Sequence, residues 1–384
     1  MDKRVYFLMI VSFVVGMVEF IIGGILDLVA NDLNIPISQA GYLITIFALI
    51  FAIAGPILLI ATSKIERKRL TIISLIIFLF GNVVTIVSNI YFIVFIGRII
   101  SALSGALLII LCLVLAPNIV EPRYRARAIG LVSMGVSGSL VLGVPIGLVL
   151  GNEFGWRAPF IFISILTILS IVGVSLIMDR VEPKPSLPLL EQLATLKGRK
   201  IIFAHLTTFL FIAGHATLYA YLTPFLKTML HLDGNMVSTV YFIYGIAAVS
   251  GGGLGGILAD RYGPPKTIVT VISIFGLSMF IIPFTTFSLI LFLVVMVLWG
   301  MMSWANSPAV QSYLIESSPE TAGIQQSFNN SSLHLGIAFG SFLGGRIIEQ
   351  TSVQYNATVG GILVMFALLA FFISMYRPKL KFNS

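Results

Sequence analysis

Few residues in this chain are able to do chemistry, and the most telling of them sit where charge is costly. Of 15 acidic side chains only Glu19 lies well inside a long apolar run, and Arg98 is the one basic side chain so placed. An ionisable group in a bilayer costs at least about 2.5–3.5 kcal/mol on insertion scales, so each needs a reason to be there. A carboxyl poised between burial, which favours its neutral form, and a guanidinium, which favours its charged form, can take up a proton and release it again. Ser12, Gly16, Glu19 and Gly23 recur at spacings of 4, 3 and 4, and Arg98, Ser101, Gly105 and Cys112 at 3, 4 and 7, so each ion sits on a stripe of small or polar residues. Such stripes face protein or a watery cavity rather than lipid. Helix packing accounts for the glycines but not for a glutamate. Glu19 and Arg98 are therefore expected to form a proton-coupling pair.

His215 is a third candidate for proton handling, since histidine titrates near neutrality. It shares a face with Thr208, Phe211 and Tyr219. A neutral imidazole bonded to a neighbouring hydroxyl is the alternative. Further on, Gly300, Ser303, Ser307 and Gln311 align, flanked by Trp304 and Asn306, while Gln326, Asn330, His334 and Ser341 align beside Asn329. Amides both donate and accept hydrogen bonds, and beside aromatic faces they suit a flat heterocycle or a sugar. Tyr219, Trp304, Asn306, Asn329, Asn330 and His334 are the candidate substrate contacts, with amide glue between helices as the other reading.

The elements that must position these residues are membrane helices. The chain has 384 residues, 58% hydrophobic and 10% charged, with a mean hydropathy of +1.05. Too few charges remain to cover a soluble surface, where about a quarter of residues are charged. Apolar runs of about 20 residues are expected to span at 5–29, 39–62, 70–88, 92–116, 127–150, 158–178, 201–222, 236–259, 267–286, 289–315, 322–346 and 356–376. The basic N-terminus precedes an apolar run too long for a signal peptide, which makes it the first span. Of 23 Lys and Arg residues, only Arg157, Lys227 and Arg346 fall outside and Arg98 within a span; the remaining 19 lie inside. That positive-inside bias puts both termini in the cytoplasm. It also accounts for the +8 net charge without nucleic acid.

A polar stretch, 179–200, separates two six-span halves, 1–178 and 201–384. Gly55-x7-Ser63-Lys64-x-Glu66 returns as Gly252-x7-Asp260-Arg261-x-Gly263, as expected of halves related by an axis along the membrane normal. Glu19 lies 14 residues after Val5 and His215 14 after Ile201, near-equivalent places in the two halves. Glu19 and Arg98 differ in depth by about one helical turn at roughly 1.5 Å per residue. Gly143, Pro145 and Gly147 are expected to bend the fifth span or let helices approach closely. No P-loop, HExxH or GxSxG occurs, and the histidines are too scattered for a metal site. Neither an enzyme nor a cofactor is therefore expected. A sensor would add a soluble output domain, and the longest loop is short.

Gly55-Pro56-x6-Ser63-Lys64-x-Glu66-Arg67-Lys68-Arg69 resembles the inter-helix motif of the major facilitator superfamily, and Ala259-Asp260-Arg261-Tyr262-Gly263 is a cleaner second copy. Gly97-Arg98-x6-Gly105 resembles that family's fourth-span arginine motif, and Gly138-x4-Gly143-x-Pro145-x-Gly147 its fifth-span antiporter motif. Phe154-Gly155-Trp156-Arg157-x2-Phe160 is similar to the start of the sixth span in drug–proton antiporters. Val18-Glu19-x3-Gly23-Gly24-Ile25-Leu26, Ala213-Gly214-His215, Trp299-Gly300-x2-Ser303-Trp304 and Ile324-Gln325-Gln326-Ser327-Phe328-Asn329 resemble bacterial exporters of purine bases and nucleosides, a subgroup that shades into sugar and drug exporters. Ser63 stands where an aspartate is usual, Glu66 where a glycine is, and Asp27 where a proline is.

The resemblance implies an all-α membrane protein of 12 helices in two bundles, with spans one and four adjoining. It also implies a monomer in the bacterial inner membrane that exports a small molecule against protons by alternating access, most naturally a purine, otherwise a drug or a sugar. Ser63, Lys64, Asp260 and Arg261 would form its inner gate.

Overall fold

The computed structural model describes residues 2–121, 124–182 and 189–376. Part of the expected linker, with Lys184, and the basic residues Arg123, Arg377, Lys379 and Lys381 lie outside them. Among the described residues there are twelve long helices and no strand. The first six are α1 (Lys3–Gly24), α2 (Ile37–Ala61), α3 (Arg67–Val87), α4 (Tyr91–Ile119), α5 (residues 125–154) and α6 (Ala158–Ile177). The last six are α7 (Arg199–Tyr219), α8 (Gly234–Tyr262), α9 (Pro264–Ile281), α10 (Leu289–Ser317), α11 (Ala322–Gln350) and α12 (Tyr355–Met375). All but α11 are apolar enough to cross a membrane alone. α11 is of similar length but carries Gln325, Gln326, Asn329, Asn330 and His334.

Helices are the required form, because a spanning backbone must satisfy its own polar groups. In the first half α1 packs against α4, α5 and α6, α3 against α4 and α6, and α2 against α4. In the second half α7 packs against α11 and α12, α8 against α10, and α9 against α10 and α12. Between the bundles the main seams are α2 with α11, and α5 with α8.

Two expected spans end early. The first breaks at Ile25 rather than reaching residue 29, and Leu26–Asp32 forms a separate short helix. The seventh ends at Tyr219, and Leu222–Met229 forms its counterpart. Hydropathy cannot see either bend, because Leu26, Val29, Leu222, Phe225 and Leu226 are buried apolar residues that face protein instead of lipid.

Around Gly143, Pro145 and Gly147, where a bend or a close helix approach is expected, α5 changes its helical form. Arg125–Gly138 and Val144–Phe154 are α-helical, and Ser139–Gly143 between them is a π-turn. The Val144 N–H bonds the Ser139 carbonyl, and Pro145, which has no N–H, starts the outer piece. π-turns are frequent at functional sites.

On the inner side Glu66, one of the residues that depart from the family motif, caps α3 by accepting the N–H groups of Lys68 (2.7 Å) and Arg69 (2.8 Å). It also accepts the Val181 N–H at 2.9 Å, tying the end of the sixth span to the start of the third. Burial pushes its carboxyl up, but these three N–H groups outweigh that and hold it below the usual carboxylate range.

Candidate functional site

Glu19 reaches out of its own bundle. Its Oε1 lies 3.2 Å from His334 Nε2 on α11, with the two side chains 12% and 7% exposed. The imidazole is held from two other directions. Nδ1 lies 2.9 Å from the Asn330 carbonyl, and the ring stacks on Phe51 of α2, centroids 4.3 Å apart at 16°. The same α2–α11 seam is stitched by Thr45 to Ser341 (2.9 Å) and by the Ser331 hydroxyl to the Ala52 carbonyl (2.9 Å).

Arg98 is fully buried. It donates from Nη1 to the Val18 carbonyl at 2.9 Å, and its guanidinium carbon lies 4.2 Å from the centroid of the Phe47 ring. It is close enough to feel the Glu19 charge. Among the described residues, however, the contact of Glu19 runs to His334, and the expected direct Glu19–Arg98 bond is not made. The reason is local: Val18, next to Glu19, takes the guanidinium through its backbone, while the carboxylate turns across the seam. Arg98 Nε and Nη2 have no partner.

His215 stands apart from these charges, among rings. Tyr219, Trp299, Phe275 and Tyr244 lie 5.1, 5.2, 5.9 and 6.3 Å from it, centroid to centroid. Proton bookkeeping orders the cluster. The Ser303 hydroxyl donates to the Gly300 carbonyl at 2.7 Å, so it accepts from Tyr244, 3.1 Å away. The Tyr244 oxygen is then an acceptor for His215 Nε2, a long contact at 3.4 Å. His215 Nδ1, the Tyr219 hydroxyl and Trp299 Nε1 are buried without partners.

The expected substrate residues divide. The Asn329 Oδ1 accepts from Thr208 at 2.7 Å inside the second bundle. Asn330 engages His334 through its carbonyl and leaves its side chain exposed. Asn306 is buried with an unpartnered Oδ1, and Trp304 is half-buried. His334 is joined to Glu19. A concavity of about 440 Å³ lined by Tyr42, Tyr91, Phe95 and Glu349 includes none of them.

The outer ends of the bundles are sealed by residues that sequence reasoning did not assign. Lys227 Nζ lies 2.5 Å from Asp27 Oδ2, and the Thr223 hydroxyl donates to the Gly24 carbonyl at 2.8 Å. Tyr221 is fully buried and donates to the Ser341 carbonyl at 2.9 Å. A Cβ at Gly41 or Gly345 would lie 1.8 or 2.5 Å from the Tyr221 hydroxyl, so both positions must be glycine for the tyrosine to fit. Beside the seal, Arg157 binds Asp32 at 2.7 Å and Asn89 at 2.6 Å, and Trp156 Nε1 donates to Asp32 at 2.9 Å. The Trp156 and Arg157 hydrogen bonds hold the Asp32 carboxyl below its usual range.

The inner ends differ. α8 meets the outer piece and the π-turn of α5, and at Gly245 a Cβ would sit 2.7 Å from the Val141 Cα. About two and three turns further inward, Gly252 and Gly256 have nothing within 4 Å. The residues expected at the inner gate are on the surface, Lys64, Asp260 and Arg261 exposed and Ser63 half-buried, with no ion pair between them among the described residues. Closed outside and parted inside along α5 and α8, this is an inward-facing arrangement.

Two six-helix bundles meeting around buried ionisable groups, with one face sealed and the other open, define a secondary transporter. The family profile of the Major Facilitator Superfamily matches residues 8–325 and 204–384, and the chain belongs to that family. It is 34% identical over 367 residues, 96% of its length and 94% of the relative's, to an uncharacterised MFS-type transporter, YbcL, of Bacillus subtilis (strain 168). It is 28% identical to the inner membrane transport protein YdhP of Escherichia coli (strain K12), covering 94% of the chain and 93% of the relative. To a probable sugar efflux transporter of Mannheimia succiniciproducens it is 26% identical, covering 99% and 94%. The fold superimposes with a TM-score of 0.77, at 16% identity and 97% and 98% coverage, on a bacterial homologue of the human lysosomal transporter Spinster solved inward-facing and unoccupied. The chain is thus a membrane transporter of small molecules and not an enzyme.

Proposed function

We propose that this chain exports a small organic molecule in exchange for protons, by alternating access between its two bundles in a bacterial inner membrane. The observation that carries the proposal is the Glu19–His334 contact: a carboxylate inside a membrane helix, touching the opposite bundle through another titratable group. A proton exchanged there changes the charge at the boundary that must open and close. Arg98, with two unpartnered donors beside Glu19, stabilises the carboxylate whenever it is ionised. The π-turn in α5 lies against Gly245 of α8 and serves as the point about which the inner halves part. Asp260, Arg261 and the Ser63–Lys64 turn would meet only when the inner side closes.

For the substrate, the ring cluster around His215 and Tyr219, with its unpartnered polar atoms, favours a flat heterocycle of the purine kind. A sugar is the second reading, because three relatives spanning nearly the whole chain carry the name probable sugar efflux transporter. The test is uptake of labelled adenine, guanosine and arabinose into inside-out vesicles, with and without an imposed proton gradient. Gradient-driven accumulation that Glu19→Gln abolishes, with the protein still in the membrane, is the expected result. Full accumulation by Glu19→Gln would remove Glu19 from the mechanism.

A further inference from the structure

We infer that Glu19 and His334 hold one proton between them, and that the two bundles are joined at this point only while that proton is present. The inference rests on the proton-coupled reading above and adds to it a second titratable residue, contributed by the other bundle.

The Asn330 carbonyl can only accept, so at 2.9 Å from it His334 Nδ1 must carry a hydrogen. Nothing else competes for Nδ1, and stacking on Phe51 fixes the ring plane. The nitrogen facing Glu19 is therefore either a bare lone pair or the second N–H of an imidazolium. With no proton on the pair, a carboxylate oxygen would face that lone pair at 3.2 Å, two acceptors with nothing between them. One proton, on either the imidazole or the carboxyl, turns the same geometry into a hydrogen bond. A second proton keeps the N–H but neutralises the carboxylate and so removes the attraction between opposite charges. The contact is strongest at one proton: it is lost without one and weakened by a second.

The surroundings leave this pair to itself. From α4, Arg98 acts on Glu19 through its charge and is held by the Val18 carbonyl, and Cys112 on the same helix is buried. From α2 the near groups are the uncharged rings of Phe47 and Phe51, with Tyr42 stacked on Phe342 nearer the outer rim. From α7, His205 is bonded to Gln325 and His215 is within its ring cluster, and just beyond it Tyr221 donates to Ser341. From α10, Tyr313 lies towards the inner end, 3.1 Å from Ser374. On α5 and α12 the titratable side chains, Arg125, Arg127, Glu153 and Tyr355, lie at helix ends.

Loss of the proton to the inner side would thus release α1 from α11 at the site, and the freed carboxylate would have Arg98 Nε and Nη2 to turn to. His334 acts here as the partner in proton binding and not as a substrate contact.

The test needs no substrate. Purified full-length protein labelled with 15N-histidine is examined at pH 8 by 15N NMR and by infrared spectroscopy of the carboxyl region. The wild type is expected to show one of two signals: a doubly protonated His334, identified by its loss in His334→Gln, or a protonated-carboxyl band that Glu19→Gln removes. In Glu19→Gln, His334 is expected to be neutral with its hydrogen on Nδ1. Unchanged signals from the other three histidines certify that each variant is folded. Absence of both signals from the wild type, or a doubly protonated His334 persisting in Glu19→Gln, overturns the inference. If that happens while Glu19→Gln still abolishes gradient-driven accumulation, coupling through Glu19 alone stands and only the role of His334 falls.

Discussion

The outer and inner halves of the boundary between the bundles hold together differently. The outer half combines an ion pair, a backbone-directed hydroxyl and a buried tyrosine, and Gly245 brings α8 against the backbone of α5. Along the same face of α8, Gly252 and Gly256 meet nothing. Glycines that permit contact in one half leave room for it in the other. One sequence pattern therefore serves a seam that is made and a seam that is waiting to be made, as two-state access requires.

The strongest test of that contrast is a pair of identical substitutions. Gly245→Leu would drive a side chain into the Val141 backbone and is expected to cost about 2 kcal/mol, as overpacking does, read as a lower melting temperature and loss of transport. Next comes the outer ion pair. Asp27→Asn leaves Lys227 unpaired and is expected to favour the outer-open state by about 1 kcal/mol, or fivefold. The measurement is labelling of Thr45→Cys by an impermeant maleimide added outside, against the low background of the single, buried Cys112. Exchanging the two charges, Asp27→Lys with Lys227→Asp, should restore protection.

Gly252→Leu, which gains the same helix propensity as Gly245→Leu, is expected to stay within about 0.5 kcal/mol of wild type in stability. It should nonetheless slow transport several-fold by obstructing inner closure. Equal destabilisation by both glycine variants would erase the comparison. The smallest effect belongs to the outer clamp. Because the folded state holds the Asp32 carboxyl low, its contribution is complete above the ordinary aspartate value and fades as pH falls through the lowered one. The melting-temperature advantage of wild type over Asp32→Asn should be constant near neutrality and shrink only below about pH 4.

The architecture was legible in the sequence because spans and orientation are written in composition, in runs of apolar residues and in basic loops. Glu19 was legible for the same reason: a charge in such a run is conspicuous. Its partner was not. Glu19 and His334 are far apart in sequence, and neither helical spacing nor charge balance says that α1 and α11 adjoin. His334 was read from its own helix, where it shares a stripe with Gln326 and Asn330, and that stripe suggested substrate. Asp27 and Lys227 were each visible, one as a departure from the family's proline and the other as a rare outer cation, but only the bends after Gly24 and Tyr219 bring them together. A bend inside an apolar run leaves no trace in hydropathy. Nor does Gly-x-Pro distinguish a kink from the π-turn that Ser139–Gly143 adopts.

The polarity of α11 bears on how the chain enters the bilayer in the first place. A segment carrying Gln325, Gln326, Asn329, Asn330 and His334 partitions poorly into lipid by itself during synthesis. Its amides and imidazole find partners on α1, α2, α7 and α10, and on Thr195 and Thr321 at its inner end. A nascent chain halted after residue 350 would hold this helix at the translocon or in the aqueous phase. Completion of α12, which packs on α7 beside it, would let the two insert as a hairpin, and that insertion would also assemble the ionisable site.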